Sequence, residues 1–376
     1  MRVGPAYSVL YSFKGGTADG EYPQAALLNV KDKLYGTTCC GGANGNGNVF
    51  SITPSGAETV LYNFGSGSEY GAGPQASLIN LKGVLYGSTS GGGTFCIPYT
   101  FCGVVFSITQ SGTESVLHNF GGSGDGADPD ADLINVNGTF YSTTELGGAN
   151  GYGTVFSITP SGAESVLYSF KGGRGDGDYP DAGLVNVKGR LYGTTQNGGG
   201  TKCDENYGCG TVFSVTRSGT ETMLYRFKAG SRDGSQPFAN LISVSGTLYG
   251  TTLGGGASHD GTVFKISTSG DESVLYSFKG YPSDGQGPLA GLTDVNGKLY
   301  GTTSEGGAKC AQSRRGCGVV FALTTSGSET LLHKFRGGSG DGAVPEASLV
   351  NVNGTLYGTT HSGGASNAGT VFSLSP

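Results

Sequence analysis

Three cysteine pairs, Cys96 and Cys102, Cys203 and Cys209, and Cys310 and Cys317, have five or six residues between their members. Each lies in a glycine-rich stretch such as GGTKCDENYGCGTVFSV (199–215). Thiols at such spacings could ligate a metal, exchange electrons or staple a loop. Structural zinc sites use more closely spaced cysteines with further Cys or His partners, and no histidine neighbours these pairs. A redox pair would be Cys-x-x-Cys beside a helix. The remaining chemistry is a disulfide within each pair, closing a polar loop and limiting its conformational spread. Disulfides imply an oxidising compartment, so a secreted, periplasmic or cell-surface protein is expected. Cys39 and Cys40 stand outside this pattern, and both a vicinal disulfide and two buried free thiols fit them.

Other groups that could do chemistry are sparse. The four histidines are scattered. His118 and His333 stand where other copies of a VLY motif carry tyrosine, which suggests a strand face, whereas His259 and His361 fall in loops. Asp-Gly recurs shortly before a proline at Asp19, Asp125, Asp176, Asp233, Asp284 and Asp341. This could be an acidic ring at a tunnel mouth, suited to a cation or a basic group, or simple turn chemistry. A glutamate recurs at Glu58, Glu114, Glu164, Glu221, Glu272 and Glu329, where repetition suggests a contact between neighbouring units. No Ser-His-Asp pattern, zinc motif, phosphate loop or dinucleotide fingerprint is present, so no catalytic residue, metal or cofactor is assigned.

The elements that hold these residues are repeats. VLYSF at Val9 returns at Val60, Val116, Val166, Met223, Val274 and Leu331 in close variants; LYGTT at Leu34 and NVF at Asn48 each return six more times. Each copy reads as four short strands rich in Val, Ile, Leu, Tyr, Phe and Thr, bounded by Gly, Pro, Asn and Ser. Asn137-Gly138, Lys188-Gly189, Asn296-Gly297 and Asn353-Gly354 suit two-residue type I′ hairpins between the first and second strands. No helical period appears. Four antiparallel strands per repeat describe a propeller blade. The sequence starts inside a fourth strand, Ser8–Phe13, and stops after a third, Gly369–Leu374. The expected fold is therefore an all-β, seven-bladed β-propeller of four-stranded antiparallel blades. Residues 1–376 form a single domain whose N-terminal strand (8–13) completes the last blade (345–376) and removes an open edge.

The pattern LYGTTxxGG…GTVFSI…VLYSF resembles the GloVer tandem-repeat proteins, a mostly bacterial, secreted group with assorted C-terminal anchors, and the order of its motifs is similar to kelch blades. The resemblance covers nearly the whole chain and implies the propeller. It brings no activity and no catalytic residues. The chain shows neither a leader nor an anchor of that group.

Composition narrows the partners. Glycine accounts for 73 of 376 residues without a collagen period, charged residues for 13%, and net charge is −6. There is no basic footprint for nucleic acid and no apolar run of bilayer length. The expected protein is a secreted, non-enzymatic monomer that binds a carbohydrate or protein partner on its stapled-loop face. Candidate contacts there are Phe95, Tyr99 and Phe101 in the blade-two loop, Asp204, Glu205 and Tyr207 in blade four, Arg314 and Arg315 in blade six, and His259 and His361. The absence of tryptophan weakens the sugar version, since aromatic stacking is a common sugar contact. The alternatives are a polysaccharide lyase or hydrolase using residues such as His259, His361, Tyr99 or Arg315, and a structural envelope protein.

Overall fold

A computed structural model describes residues 5–65, 70–94, 102–200, 203 and 208–376. The described chain is all-β, and seven four-stranded antiparallel sheets form a ring. In blade one the strands are Leu28–Val30, Lys33–Thr38, Asn48–Ile52 and Glu58–Asn63, paired in chain order. First strands of adjacent blades touch, so they line the axis.

Closure follows the expected route, with small shifts in bounds. Ala6–Ser12 pairs antiparallel with Thr370–Ser375, from Ala6 opposite Ser375 to Ser12 opposite Thr370. That sheet continues through Thr355–Thr360 to Val350–Val352. The chain therefore supplies its own last strand and covers the edge that Thr370–Ser375 would otherwise expose.

The local sequence explains the blades. Second strands such as Lys33–Thr38 are buried along almost their whole length, because each blade is covered on both faces by its neighbours. They therefore carry continuous apolar and small residues instead of an alternating pattern. Gly36 is one of the small residues the stacking demands: a Cβ there would lie 2.6 Å from Phe50 Cζ. The phenylalanines that end VLYSF and TVF form one edge-to-face pair between each two adjacent blades, with centroids 5.0–5.3 Å apart. Such pairs add roughly 1 kcal/mol beyond area burial. The expected type I′ hairpins are present, with φ of 56° and 89° at Asn137 and Gly138 and 52° and 87° at Asn353 and Gly354. By strand direction, these hairpins and the Pro-Ser-Gly turns lie at one end of the ring. The second-to-third-strand loops lie at the other.

Candidate functional site

The loop end is organised by a conformation repeated once per blade. The residue before the proline of each DGxxP segment, and of its YGxxP counterpart in blade two, is left-handed: Tyr22, Gly73, Asp128, Tyr179, Gln236, Gly287 and Val344 have φ between 54° and 64°. This twist turns the peptide toward two blades at once. The Asp128 amide donates to the Cys102 carbonyl of the preceding blade at 3.0 Å, while its own carbonyl accepts from Glu145 N at 2.9 Å. Gln236 and Val344 repeat the arrangement on Cys209 and Cys317. The second cysteine of each stapled loop therefore anchors the next blade through its backbone.

The following proline fixes the chain direction, and the residue after it points to the axis. These residues are Gln24, Gln75, Asp130, Asp181, Phe238, Leu289 and Glu346, one per blade. They ring a cavity of about 440 Å³, joined by Glu145 and Gln196 from the ends of second strands. Gln24 Nε2 donates to Glu346 Oε2 at 3.0 Å, and Gln75 Nε2 donates to Asp130 Oδ2 at 3.2 Å and Ser90 Oγ at 3.3 Å. Five blades thus present a polar arc; Phe238 and Leu289 of blades five and six complete the circle with an apolar one. The cavity has a floor, where Asn240 Nδ2 donates to Asp132 Oδ2 at 2.6 Å and the other Asp132 oxygen accepts from Ser77 N at 2.6 Å. Below it, Asp132 and Asn240 also line a separate pocket toward the hairpin end. The Asp132–Asn240 bridge thus lies between the cup and the second pocket.

Carboxylates crowd one side of the cup. Oxygens of Asp128, Asp130 and Glu145 lie within 4.8 Å of one another. Burial first, and then the charges of Asp130 and Glu145, push the Asp128 carboxyl up to about 9. Burial, reinforced by Glu145, raises Asp130 to about 7. Asp178 in blade four is pushed up to about 6, mainly by burial, and Asp181 is raised by burial and by the same carboxylates.

The six Asp-Gly aspartates have a different position. They lie in closed turns, five residues before the cup-lining residue of the same segment, and do not line the cup. Tyr11 Oη donates to Asp19 Oδ2 at 2.8 Å, and Lys14 N and Gly20 N donate to the same carboxylate. Tyr168, Tyr225 and Tyr276 do likewise to Asp176, Asp233 and Asp284. His118 and His333 replace the tyrosine and bond Asp125 at 3.0 Å and Asp341 at 3.3 Å. The recurrent glutamates join this network from the next blade: Tyr62, whose blade junction carries Tyr70 where the others have the aspartate, turns its hydroxyl to Glu114 Oε2 at 3.3 Å. The grouping of His118, Asp125 and Glu164 is one copy of this repeated junction.

The network predicts a pH dependence. Burial pushes Glu58, Glu164, Glu221, Glu272 and Glu329 each up to about 7. Their folded pKa lies above the unfolded value, so between about pH 4 and 7 the folded state binds more protons. Stability must then fall as pH rises through that window. Thermal melts at constant ionic strength should give a higher Tm at pH 5 than at pH 8, and Glu221→Gln should flatten the slope. A Tm that climbs from pH 5 to 8 would show that these glutamates are ionised in the folded state.

The stapled-loop candidates divide. Cys203–Cys209 and Cys310–Cys317 are disulfides with Cα separations of 5.1 and 5.5 Å. Cys102 is also disulfide-bonded; its expected partner Cys96 lies outside the described residues, as do Phe95, Tyr99, Phe101, Asp204, Glu205 and Tyr207. Cys39 and Cys40 are placed as thiols with Sγ atoms 2.9 Å apart. Arg314 and Arg315 are exposed, the latter 3.5 Å from Glu305. His259 is exposed, and His361 stacks on Tyr22 at 4.7 Å. Arg314, Arg315, His259 and His361 are not among the residues lining the cup. Repetition drew attention to the aspartates; the informative signal was the position five residues on, where Gln, Gln, Asp, Asp, Phe, Leu and Glu succeed one another between repeating neighbours.

A family model described as the Gloeobacter/Verrucomicrobia repeat matches residues 1–97, 98–313 and 204–376. No curated protein matches the chain. Among solved structures, a puromycin hydrolase mutant complexed with PGG has a TM-score of 0.54 at 12% identity over 95% of this chain, which spans about half (53%) of that one. The computationally designed Ika8 protein has a TM-score of 0.48 at 13% identity, covering 97% of this chain and 99% of that one. At these identities the hydrolase likeness concerns the fold alone.

Proposed function

We propose that this chain, which belongs to the Gloeobacter/Verrucomicrobia repeat family, is a non-enzymatic binding propeller of an extracytoplasmic compartment that takes a sugar residue of a polysaccharide into its axial cup. One observation carries the reading: the side chains around the cup are the ones that change in kind from blade to blade within an otherwise repeating segment. A residue needed for the fold recurs, as the Asp-Gly aspartates do; one that recognises a ligand must be placed singly. The chemistry suits a polyol. Amides and carboxylates donate to and accept from hydroxyl groups around the polar arc, while Phe238 and Leu289 offer apolar surface to a pyranose face. Loops held by Cys203–Cys209 and Cys310–Cys317 fit an oxidising, extracellular setting and lower the ordering cost of binding at the rim.

The test is a glycan array probed with chelator present, followed by incubation of each hit with the protein. Expected are selective hits and no new reducing ends or unsaturated products. Product formation would replace this reading with the lyase or hydrolase alternative, for which the crowded carboxyls of Asp130 and Glu145 would be the first residues to examine.

A further inference from the structure

We propose that Asp128, Asp130 and Glu145 form a binding site for a divalent cation, calcium by its donor chemistry, on the acidic side of the axial cup. All three come from blade three: Asp128 and Asp130 flank Pro129, and Glu145 follows the second strand Thr139–Thr144. Their oxygens lie within 4.8 Å of one another. Calcium binds oxygen at about 2.4 Å, so two ligands on opposite sides of one ion stand roughly that far apart. The donor set is all oxygen, which suits a hard cation such as calcium better than zinc or copper, whose sites favour imidazole and thiolate.

A second observation points to a ligand. Asp128 is only 5% exposed, yet no N–H or hydroxyl group reaches its Oδ1 or the buried Oδ1 of Asp130, and the side-chain contacts Asp128 makes are to the neighbouring carboxyls of Glu145 and Asp130, which need a shared proton or a cation between them. Asp178, 3% exposed and close enough to feel the Glu145 charge, also has a partnerless buried Oδ1. Buried carboxylate oxygens ordinarily find donors or a cation. Among the described residues, none of these carboxylates forms an ion pair with Lys, Arg or His. Gln75 holds the other Asp130 oxygen and so orients the carboxylate from outside the site. The junction of His118, Asp125 and Glu164 also holds a buried oxygen without a partner, Glu164 Oε1, but it differs from this site in that its aspartate already bonds a histidine and it recurs around the ring as a blade contact.

The proposal shares the cup with the sugar reading but not its ligand, so calcium alone is the probe. Protein stripped with chelator is titrated calorimetrically with calcium chloride. One site per chain is expected, with a dissociation constant on the order of 10⁻⁴ M, as in extracellular modules. Calcium should also raise the Tm by mass action. Asp128→Asn and Glu145→Gln should each weaken binding at least tenfold and abolish the Tm shift. Without calcium both should melt at or near the parent temperature, since each replaces a carboxyl in the crowded cluster by a neutral amide of the same shape, and that melt serves as the folding control. No heat and no Tm shift at 10 mM calcium, or binding that survives both substitutions unchanged, would overturn the site. Array binding in chelator is scored separately, so either reading can fail while the other stands.

Discussion

Removing residues 1–13 should leave a protein that aggregates, or that melts more than about 10 °C below the parent. The deletion takes away Ala6–Ser12, the outer strand of the last blade, and exposes the full backbone edge of Thr370–Ser375. An unpaired edge recruits other chains. It also removes Phe13, which is fully buried and packs edge-to-face on Phe50 at 5.1 Å, and whose burial alone contributes roughly 2–3 kcal/mol. Tyr7, stacked on His333 at 3.7 Å, and the Tyr11–Asp19 bond are lost with it. The junction between the last blade and the first thus loses its aromatic pair and its polar clasp together. Size-exclusion chromatography and thermal melting read the result; a monodisperse truncated protein melting with the parent would show that this strand does not close the ring.

Gly318→Ala should cost about 3 kcal/mol or more in urea unfolding. Gly318 follows Cys317 at φ 93°, a conformation costly for any residue with a Cβ. A methyl there would run into the Thr303 carbonyl oxygen and lie 2.7 Å from Pro345 Cδ of the next blade. Both obstacles are backbone or ring atoms that cannot rotate away. Gly338→Ala is the control: φ is 75°, so the strain is similar, but a methyl meets nothing within 4 Å. It should cost only about 1 kcal/mol. Because Pro345 directs Glu346 to the cup, Gly318→Ala should also disturb binding at concentrations where the protein remains folded. Equal losses for the two substitutions would remove the steric argument for how blades set the ring.

The architecture was legible because repetition exposes it. Seven copies of LYGTT and VLYSF or their close variants define the strands, Asn137-Gly138 and its equivalents mark the hairpins, and the flanking part-copies pair as expected. The site was less legible for the same reason. Repeat-level reading favours positions that recur, and Asp19 and its equivalents recur because each receives a tyrosine or histidine from the preceding blade's fourth strand. Gln24, Asp130 and Phe238 look like unremarkable loop residues until left-handed residues such as Tyr22, Asp128 and Gln236 are seen to turn them to one axis. The pairing of Glu145 with Asp128 was out of reach because those residues are far apart in sequence and meet only once the strand between them folds back. His118 and His333 were placed on strands, but their partners became visible only with the junctions formed.

The most direct measurement of the central claim compares one array hit across two faces of the ring. Its affinity is determined by titration for the parent, for Phe238→Ala and Gln24→Ala in the cup, and for Asn137→Asp in a hairpin at the opposite end. Truncating a central aromatic contact costs about 2 kcal/mol, roughly a thirtyfold loss. The account predicts a loss of that order for Phe238→Ala, a smaller one for Gln24→Ala, and parent affinity for Asn137→Asp. Full affinity in both cup variants, with loss at Asn137, would place the ligand at the other end of the propeller and contradict the account.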